Sequence, residues 1–442
     1  MFVRRIAVVG SGYVGLTTGA CLASLGHRVV CADLDEGKVA RLCRGDVSIL
    51  EPGLPELVAE GLAAGRLRFV MGATAAIGQG PDAAEVVFLC VPTPMGAGGA
   101  ADLSAVRSVV TEVRKLLPPG CVVVNKSTVP VGTAALTATL LDRPDVAVVS
   151  NPEFLREGSA VADFLTPDRI VVGSNAQDAA ERVAALYSRL GAPTVLTDAA
   201  SAEMVKYAAN CFLAMKLSYV NAVAELCERL GADVLAVTEG IGYDRRIGQA
   251  FLAPGPGWGG SCLPKDTHAL LQVALAADCD FALLRASLDT NTRQRARMVD
   301  KVRAAVGGSL LGVRIGLLGL SFKAGTADLR DSPALSVAAL LAAEGADLIG
   351  YDPGVPAAIP GMTDDLAIAD DPIKVASGAA ALVVLTEWPE FRTLDWGRLA
   401  ELVQNRIVID TRNLLDPDVL RRVGFEVRGV GRQVSGAGTV PS

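Results

Sequence analysis

RIAVVGSGYVGLTTGACLASLGHRVVCAD, residues 5–33, decides the fold. Arg5 is followed by a short apolar run, residues 6–9, and the stretch reads as a buried strand. The run meets Gly10, Gly12 and Gly15 at G-x-G-x-x-G spacing, with Tyr13 and Val14 among them. A helical pattern then extends to Leu25 and stops at Gly26, and HRVVCAD forms a second strand ending at Asp33. Together these make one βαβ unit. The first glycine permits the tight turn, the second lets backbone approach a pyrophosphate, and the third lets helix pack on strand. A pyrophosphate would sit at the helix N-terminus, where free N–H groups and the dipole favour anions. Asp33 falls about 20 residues past the loop, where a carboxylate can accept from both ribose hydroxyls and would repel a 2′-phosphate. The cofactor expected is therefore NAD, with Lys38 as a further binding candidate. The bland alternative is a glycine-rich turn in an ordinary α/β protein. The ordered strand, loop, helix, strand and acid argue against it.

Working outward, further strands end in polar loops. EVVFLCVPTP (85–94) ends at Thr93, CVVVNKSTVPVGT (121–133) at Ser127 and Thr128, and DVAVVSNPEFLREGSA (145–160) at Glu153 and Glu157. Ligands bind beyond the carboxyl ends of parallel strands, so these loops should line one crevice. Thr93 alone reads better as a helix cap, but three such loops in series shift the balance, and Thr93 and Thr128 join the cofactor-binding candidates. From about Ser201 to Leu230 the pattern is one long helix, capped by Asp198 or Ser201 and ended by Gly231. Apolar residues occupy several of its faces, as expected for burial by other domains or a second subunit. Lys206 and Asn210 lie one turn apart on it. A second α/β pattern begins at VRIGLLG (313–319), and GADLIGYDP ends its next strand at Asp352. Gly316-Leu-Leu-Gly319 departs from the dinucleotide fingerprint, which disfavours a second such site.

The fold class expected is α/β, with two Rossmann-like doubly wound parallel-sheet domains joined by a long central helix and a small helical domain. The divisions expected are 1–197 (NAD binding), 198–308 (long helix and helical dimerisation), 309–430 (the second α/β domain) and 431–442 (a flexible tail).

Composition narrows the class. The 442 residues are 51% hydrophobic and 20% charged, a soluble globular mix of two or three domains. The net charge of −7, without a basic block, argues against nucleic acid as a partner. Nine scattered cysteines without a CxxC pair, and only two histidines, argue against disulfides or a zinc site and for a reducing, cytoplasmic setting. Arg4 and Arg5 before an apolar run imitate a twin-arginine signal, but glycines at phosphate-loop spacing break that run. No apolar run of about 18 residues suggests a membrane span.

GWGGSCLPKD, residues 257–266, is the unusual stretch. Pro264 suits the first turn of a helix, which puts Cys262 just before its positive end and near Lys265. Both effects favour thiolate. The glycines leave room for a substrate, and Asp266, one turn on, can place a water or take a proton. The bland alternative, a buried inert cysteine, is accepted for the other eight. A thiol beside a nicotinamide suggests oxidation of an alcohol to an aldehyde, capture as a thiohemiacetal, oxidation to a thioester and hydrolysis to an acid. Lys206 and Asn210 are the candidate oxyanion donors.

GSGYVG, VPTP, KSTVPVGT, NPEFLREGSA, PDRIVVG, SAEMVKYAAN, GIGYDRRIG, GGSCLPKD and LSFKAGTADLRDSP resemble, in order and over nearly the whole chain, the UDP-glucose/GDP-mannose dehydrogenase family. These are four-electron dehydrogenases that convert a sugar nucleotide's C6 hydroxyl to a carboxylate. The resemblance implies that Cys262 is the nucleophile, that Lys206, Asn210 and Asp266 serve the oxyanion and the water, and that Thr128 and Glu153 hold or relay through a catalytic water. It places Glu157, Lys265 and Arg330 on NAD with Asp33 on the ribose. It assigns Phe154, Leu155, Arg156, Phe251, Leu252 and Gly259 to the sugar-nucleotide pocket, with Phe322, Lys323 and Arg412 from the C-terminal domain and Arg246 from a partner subunit. It also implies a homodimer on the long helix, or a larger assembly.

Within the family, the longer matches (YAANCFLAMKLSYVNAVAELCE, FLAPGPGWGG, LTEWPEFRTLDW) resemble the branch acting on UDP-glucose. Leu263 stands where that branch usually has phenylalanine, and SCLPKD and GLLGLSFKAGT resemble the GDP-mannose branch. UDP-glucose is the substrate expected, with dTDP-glucose or GDP-mannose as alternatives. An inactive nucleotide-sugar-binding protein would lack Cys262, Lys206 or Asp266, and all three are present. A two-electron dehydrogenase of the 6-phosphogluconate type would not need the thiol.

Overall fold

The computed structural model describes residues 3–356 and 365–432. By internal contacts the chain divides into two compact units, Met1–Ala209 with His268–Cys279, and Asn210–Thr267 with Asp280–Ser442.

The first unit is built on β1 (Arg5–Val9), β2 (Arg28–Asp33), β3 (Leu67–Met71), β4 (Val86–Leu89), β5 (Val122–Asn125), β6 (Ala147–Ser150), β7 (Ile170–Gly173) and β8 (Thr194–Thr197). They form one sheet in the order β3-β2-β1-β4-β5-β6-β7-β8. The first six carry the doubly wound order 3-2-1-4-5-6. Buried on both faces, β4 (VVFL) and β5 (VVVN) are nearly unbroken apolar runs. The sheet is not wholly parallel as expected. β6 meets β7 antiparallel, through Ser150 and Gly173, and β8 runs parallel to β7. The β6–β7 connection carries a helix of only six residues, Ala160–Leu165, and makes no full crossover. Arg5–Val9 is thus the innermost strand of its half of the sheet, paired with β2 and β4.

The second unit is built on β9 (Arg314–Leu318), β10 (Asp347–Tyr351), β11 (Leu366–Ile368), β12 (Ala381–Val384), β13 (Ile407–Asp410) and β14 (Glu426–Gly429). Its sheet runs β11-β10-β9-β12-β13-β14, all parallel, again in the 3-2-1-4-5-6 order. Two differences explain why its first turn does not repeat the dinucleotide loop. After Gly319 the next helix starts only at Pro333, so no helix N-terminus faces the strand end. Asp352, which stands where Asp33 stands in the first unit, is 2% exposed. Its Oδ2 already accepts from the Leu320 and Ser321 N–H groups, the Ser321 hydroxyl and the Trp388 indole.

The long helix spans Ala199–Leu230, and Asp198 caps it by accepting from the Ser201 N–H at 2.8 Å. Gly231 ends it in the left-handed region, at φ 78°. Residues 431 and 432, expected in a flexible tail, are bonded to the second unit. The Gly431 N–H donates to Glu228, its carbonyl accepts from Val234, and Arg432 pairs with Asp233. These bonds tie 431–432 to the second unit; residues 433–442 lie outside the described ones.

Candidate active site

The cofactor loop behaves as its spacing predicts. Gly10 has φ +97°, and a Cβ there would lie 2.6 Å from the Cys90 carbonyl oxygen. A Cβ on Gly15 would lie 1.8 Å from the Gly10 oxygen, so helix and turn interlock only without side chains. Gly12 differs: nothing lies within 4 Å of its Cβ position. That open side fits the close approach of a ligand. Gly12 is also the N-cap of the helix Tyr13–Ser24 and supplies no side-chain cap, which leaves the first-turn N–H groups for an anion. Val14, half-buried, packs on the core below.

Asp33 lies at the end of β2 as required. It accepts from the Ser11 N–H at 3.0 Å and from Lys38 Nζ at 2.9 Å. Burial pushes its carboxyl up, but Lys38 and the N–H donors outweigh this and hold it below the usual range. The residues therefore fit a dinucleotide whose ribose meets an ionised carboxylate. Gly15→Ala should weaken NAD binding by about 1–3 kcal/mol, ten- to a hundredfold in Kd, because the loop must move to admit the methyl. Titration calorimetry checks this, and an unchanged Kd would place the cofactor elsewhere.

Tyr13 is less available than its place in the motif suggests. Its hydroxyl is bonded to buried Glu51 and accepts from the Gly158 N–H at 2.8 Å. Burial first, then the Glu51 bond, pushes its phenol well above the ordinary value, and nearby Glu157 adds to this. Tyr13 and Glu51 thus anchor the loop carrying Arg156 and Glu157 to the cofactor turn. Sequence reasoning missed Glu51, which has no motif around it.

The loops after β4–β6 meet as expected. Thr93 is not a helix cap; its hydroxyl donates to the Thr128 carbonyl at 2.8 Å and clips two strand-end loops together. Glu153, 6% exposed, pairs with Lys206 Nζ at 3.0 Å, and Lys206 is itself 4% exposed. Burial pushes the Glu153 carboxyl up, yet the Lys206 charge and the Leu155 N–H reverse this and hold it below its usual value. Phe154 lies between two cations, with the Arg169 guanidinium 3.5 Å and Lys206 Nζ 5.4 Å from its ring centroid. Arg156, expected on the substrate, is exposed and fork-bonded to Asp163.

Lys126 was missed. It is buried, and its Nζ donates to Asn151 Oδ1 at 3.2 Å. Burial pushes it down to about 8, against the pull of the Glu153 charge. A lysine ending the apolar run CVVVN was the available signal.

The thiol segment belongs to the second unit. A helix starts at Leu263, and the Cys262 carbonyl accepts from the Asp266 N–H at 2.9 Å, so Cys262 is the N-cap and exposed. Asp266 is fully buried. One of its oxygens accepts from Asn210 Nδ2 at 2.6 Å and the other from Lys265 Nζ at 2.5 Å. The Lys265 charge is therefore shared with Asp266 rather than held for the thiol alone. Asn210, 8% exposed, sits one turn after Lys206 on the same helix. The other eight cysteines are not uniformly buried: Cys43 and Cys279 are exposed. Burial pushes the thiols of Cys21, Cys90, Cys121 and Cys211 up to about 12, which keeps them inert.

The remaining substrate candidates lie in the second unit. A Cβ on Gly259 would lie 2.0 Å from the Asp331 carbonyl oxygen, and one on Gly260 would lie 2.7 Å from the Phe322 ring. The glycine loop and the 320–333 loop are thus in intimate contact, with Lys323 Nζ 5.5 Å from the Phe322 centroid. Phe251 has φ +62°, a strained value for an aromatic residue, and Leu252 is buried. Arg412 donates to the Leu385 carbonyl and pairs with Glu387, beside Gly255. Two charged candidates are exposed: Arg330, expected on NAD, is bonded to Asp328, and Arg246, expected to reach a partner subunit's substrate, is 89% exposed and paired with Asp244.

Three sequence profiles match the chain. They are described as the NAD binding domain (residues 4–191), the central domain (200–293) and the UDP binding domain (316–417) of the UDP-glucose/GDP-mannose dehydrogenase family. A UDP-glucose 6-dehydrogenase of Rhizobium meliloti is 44% identical over 97% of this chain and 99% of its own. One from Bacillus subtilis is 41% identical over 99% and 95%. Among solved structures, a UDP-glucose dehydrogenase from Pyrobaculum islandicum is 36% identical with a TM-score of 0.88, each chain covered to 98%. A UDP-D-ManNAc dehydrogenase from Pyrococcus horikoshii is 30% identical with a TM-score of 0.86, covering 97% of this chain and 99% of its own.

Proposed function

The chain belongs to the UDP-glucose/GDP-mannose dehydrogenase family, and from that premise we propose that it oxidises the C6 hydroxyl of UDP-glucose to the carboxylate of UDP-glucuronate through a covalent intermediate on Cys262. The observation that carries the covalent route is the thiol's placement. Cys262 is the exposed N-cap of a helix, behind a glycine loop, with Asp266 and Asn210 bonded to each other one turn on.

NAD, when bound, supplies the hydride acceptor for both oxidations, alcohol to aldehyde and Cys262 thiohemiacetal to thioester. Gly10, Gly12, Gly15 and Asp33 would hold it, with Lys38 fixing the Asp33 carboxylate. The Cys262 sulfur forms a bond to C6 of the aldehyde, and the carbonyl oxygen takes up a proton. Lys206 and Asn210 are the donors proposed for that oxygen. Water then adds to the thioester carbon, the C–S bond breaks and the thiolate leaves. Per sugar nucleotide, two NAD and one water are consumed, and two NADH, the carboxylate and three protons appear. Glu153, held ionised beside Lys206, together with Thr128 and Asp266, is proposed to hold and deprotonate the water.

We read the parts 1–197, 198–308 and 309–430 as the cofactor, central and sugar-nucleotide domains. We read the long helix as the seat of a homodimer, supported by exposed Phe212, Tyr219 and Leu226 at a seven-residue spacing. Among the described residues no helix is long and apolar enough to cross a membrane, and a cytoplasmic setting is our reading of the cysteine usage.

Leu263 favours one second reading, relaxed choice of sugar nucleotide, since one apolar contact discriminates by only about 1–3 kcal/mol. Initial rates on UDP-glucose, dTDP-glucose and GDP-mannose, with the acids resolved by chromatography, test both. UDP-glucose should give the highest kcat/KM. Turnover of GDP-mannose alone would overturn the assignment.

A further inference from the structure

Four residues before the thiol, the chain is held in an unusual way. Gly255 and Trp258 have their backbone groups satisfied by buried side chains of two helices, the long helix and Ala282–Ala305. The Gly255 N–H donates to Asn221 Oδ1 at 2.9 Å, and Gln294 Nε2 donates to the Gly255 carbonyl at 2.7 Å. The Trp258 N–H donates to Asn291 Oδ1 at 2.8 Å, and Asn291 Nδ2 returns a bond to the Trp258 carbonyl at 2.9 Å. Arg295 adds a second donor to that carbonyl at 3.0 Å. The Trp258 indole N–H donates to Ser218 Oγ at 2.8 Å. Asn221, Asn291, Gln294 and Ser218 are each 5% exposed or less. Gly257, at φ +120°, brings its backbone so close that a Cβ would lie 2.7 Å from Asn291 Oδ1.

A surface loop normally leaves its backbone to water, and burying three amide side chains is costly unless they are bonded. Here each of those bonds fixes one end of a stretch whose next residues, Gly259 and Gly260, have no stiffness of their own. The Gly260 N–H donates to the Asp331 carbonyl at 3.2 Å and holds the far side of this stretch, while the clamp holds its near side, so the two together set where residues 259–262 present the sulfur. We propose that Asn291, with Asn221, Gln294 and Arg295, forms an amide clamp on residues 255–258 that positions Cys262 for capture of the aldehyde. These are positioning residues, and the proposal rests on the reading of Cys262 as nucleophile. The first hydride transfer needs no sulfur, whereas thiohemiacetal formation needs it placed to within about 0.5 Å. Loosening the clamp should therefore damage the second half of the reaction more than the first.

The test uses the full-length protein and Asn291→Ala. Acid formation should slow by about ten- to a hundredfold. NADH per limiting UDP-glucose should fall from two toward one, with aldehyde trapped by hydroxylamine, while the NAD Kd is unchanged. In protein without NAD, UDP-glucose should shield Cys262 from iodoacetamide less well than in the native chain, with exposed Cys43 and Cys279 as internal references. Arg295→Met keeps its stem and one of the two donors on Trp258; it should shift the ratio the same way by less, and it decides the matter if Asn291→Ala does not fold. Two NADH per sugar, no trapped aldehyde and native shielding in these variants would overturn the clamp. So would equal loss of both half-reactions. Two NADH from Cys262→Ser would instead remove the nucleophile reading, a separate failure.

Discussion

Cys262→Ser abolishes acid formation on this account, with a fall of at least about a thousandfold in the rate at which UDP-glucuronate appears. At neutral pH a serine hydroxyl at the same N-cap cannot match the nucleophilicity of a thiolate. The aldehyde then either stays bound or escapes, so at most one NADH forms per sugar. Stability should change by no more than about 0.5 kcal/mol, because Cys262 is exposed and serine is a good N-cap. The fold therefore cannot be blamed for the loss. Quenched-flow product analysis with thermal unfolding of the same samples checks both halves. Acid formed at the native rate in this variant would remove the sulfur from the route, whereas one NADH per sugar from the native chain and from the variant alike would move the protein to the two-electron class, in which lysine and asparagine suffice.

Lys206→Met should show two separable losses. Lys206 and Glu153 have side chains only 5% exposed, and removing one member of a buried ion pair typically costs about 3–5 kcal/mol. Glu153 would be left ionised and buried, or forced to take up a proton. The sign of its pH dependence follows. The Glu153 carboxyl is held below its ordinary 4.5 in the fold, so its stabilising share is present above that pH and lost as pH falls below it. In Lys206→Met that share should vanish, and stability should depend less on pH on the acid side. Activity should fall by about a hundred- to a thousandfold as the oxyanion loses a cationic donor. The double variant Lys206→Met with Glu153→Gln tests the stability half, recovering much of the stability, and its activity stays low because both proposed catalytic groups are gone. Recovery of stability and activity alike would mean that the lysine only neutralises Glu153.

Much of this was legible in the chain. Gly10, Gly12, Gly15 and Asp33 fall on the turn, the helix start and the strand end that their spacing predicts, because each answers a local demand of backbone or charge. Cys262 read correctly as an N-cap because Pro264 marks a helix start within three residues. What stayed hidden depends on partners far away in sequence. The reversal of β7 and β8 against β6 hinges on the short helix Ala160–Leu165, which periodicity cannot distinguish from a crossover. Glu51 and Lys126 acquire meaning only from Tyr13 and Gly158, and from Asn151, Tyr187 and Glu153. Thr93 looked like a cap because capping is the common local use of threonine, whereas its bond to Thr128 spans 35 residues. The glycines of 255–260 suggested a flexible approach to the sulfur. The structure instead holds their first half on four side-chain amide and guanidinium groups, and no spacing rule joins Asn221 to Asn291.

The most direct measurement is the amount of NADH formed from a limiting, known quantity of UDP-glucose with NAD in excess. Two NADH per sugar, with UDP-glucuronate as the sole product, is the predicted result. One NADH per sugar, with the aldehyde accumulating, would contradict the account and leave Cys262 without its assigned step.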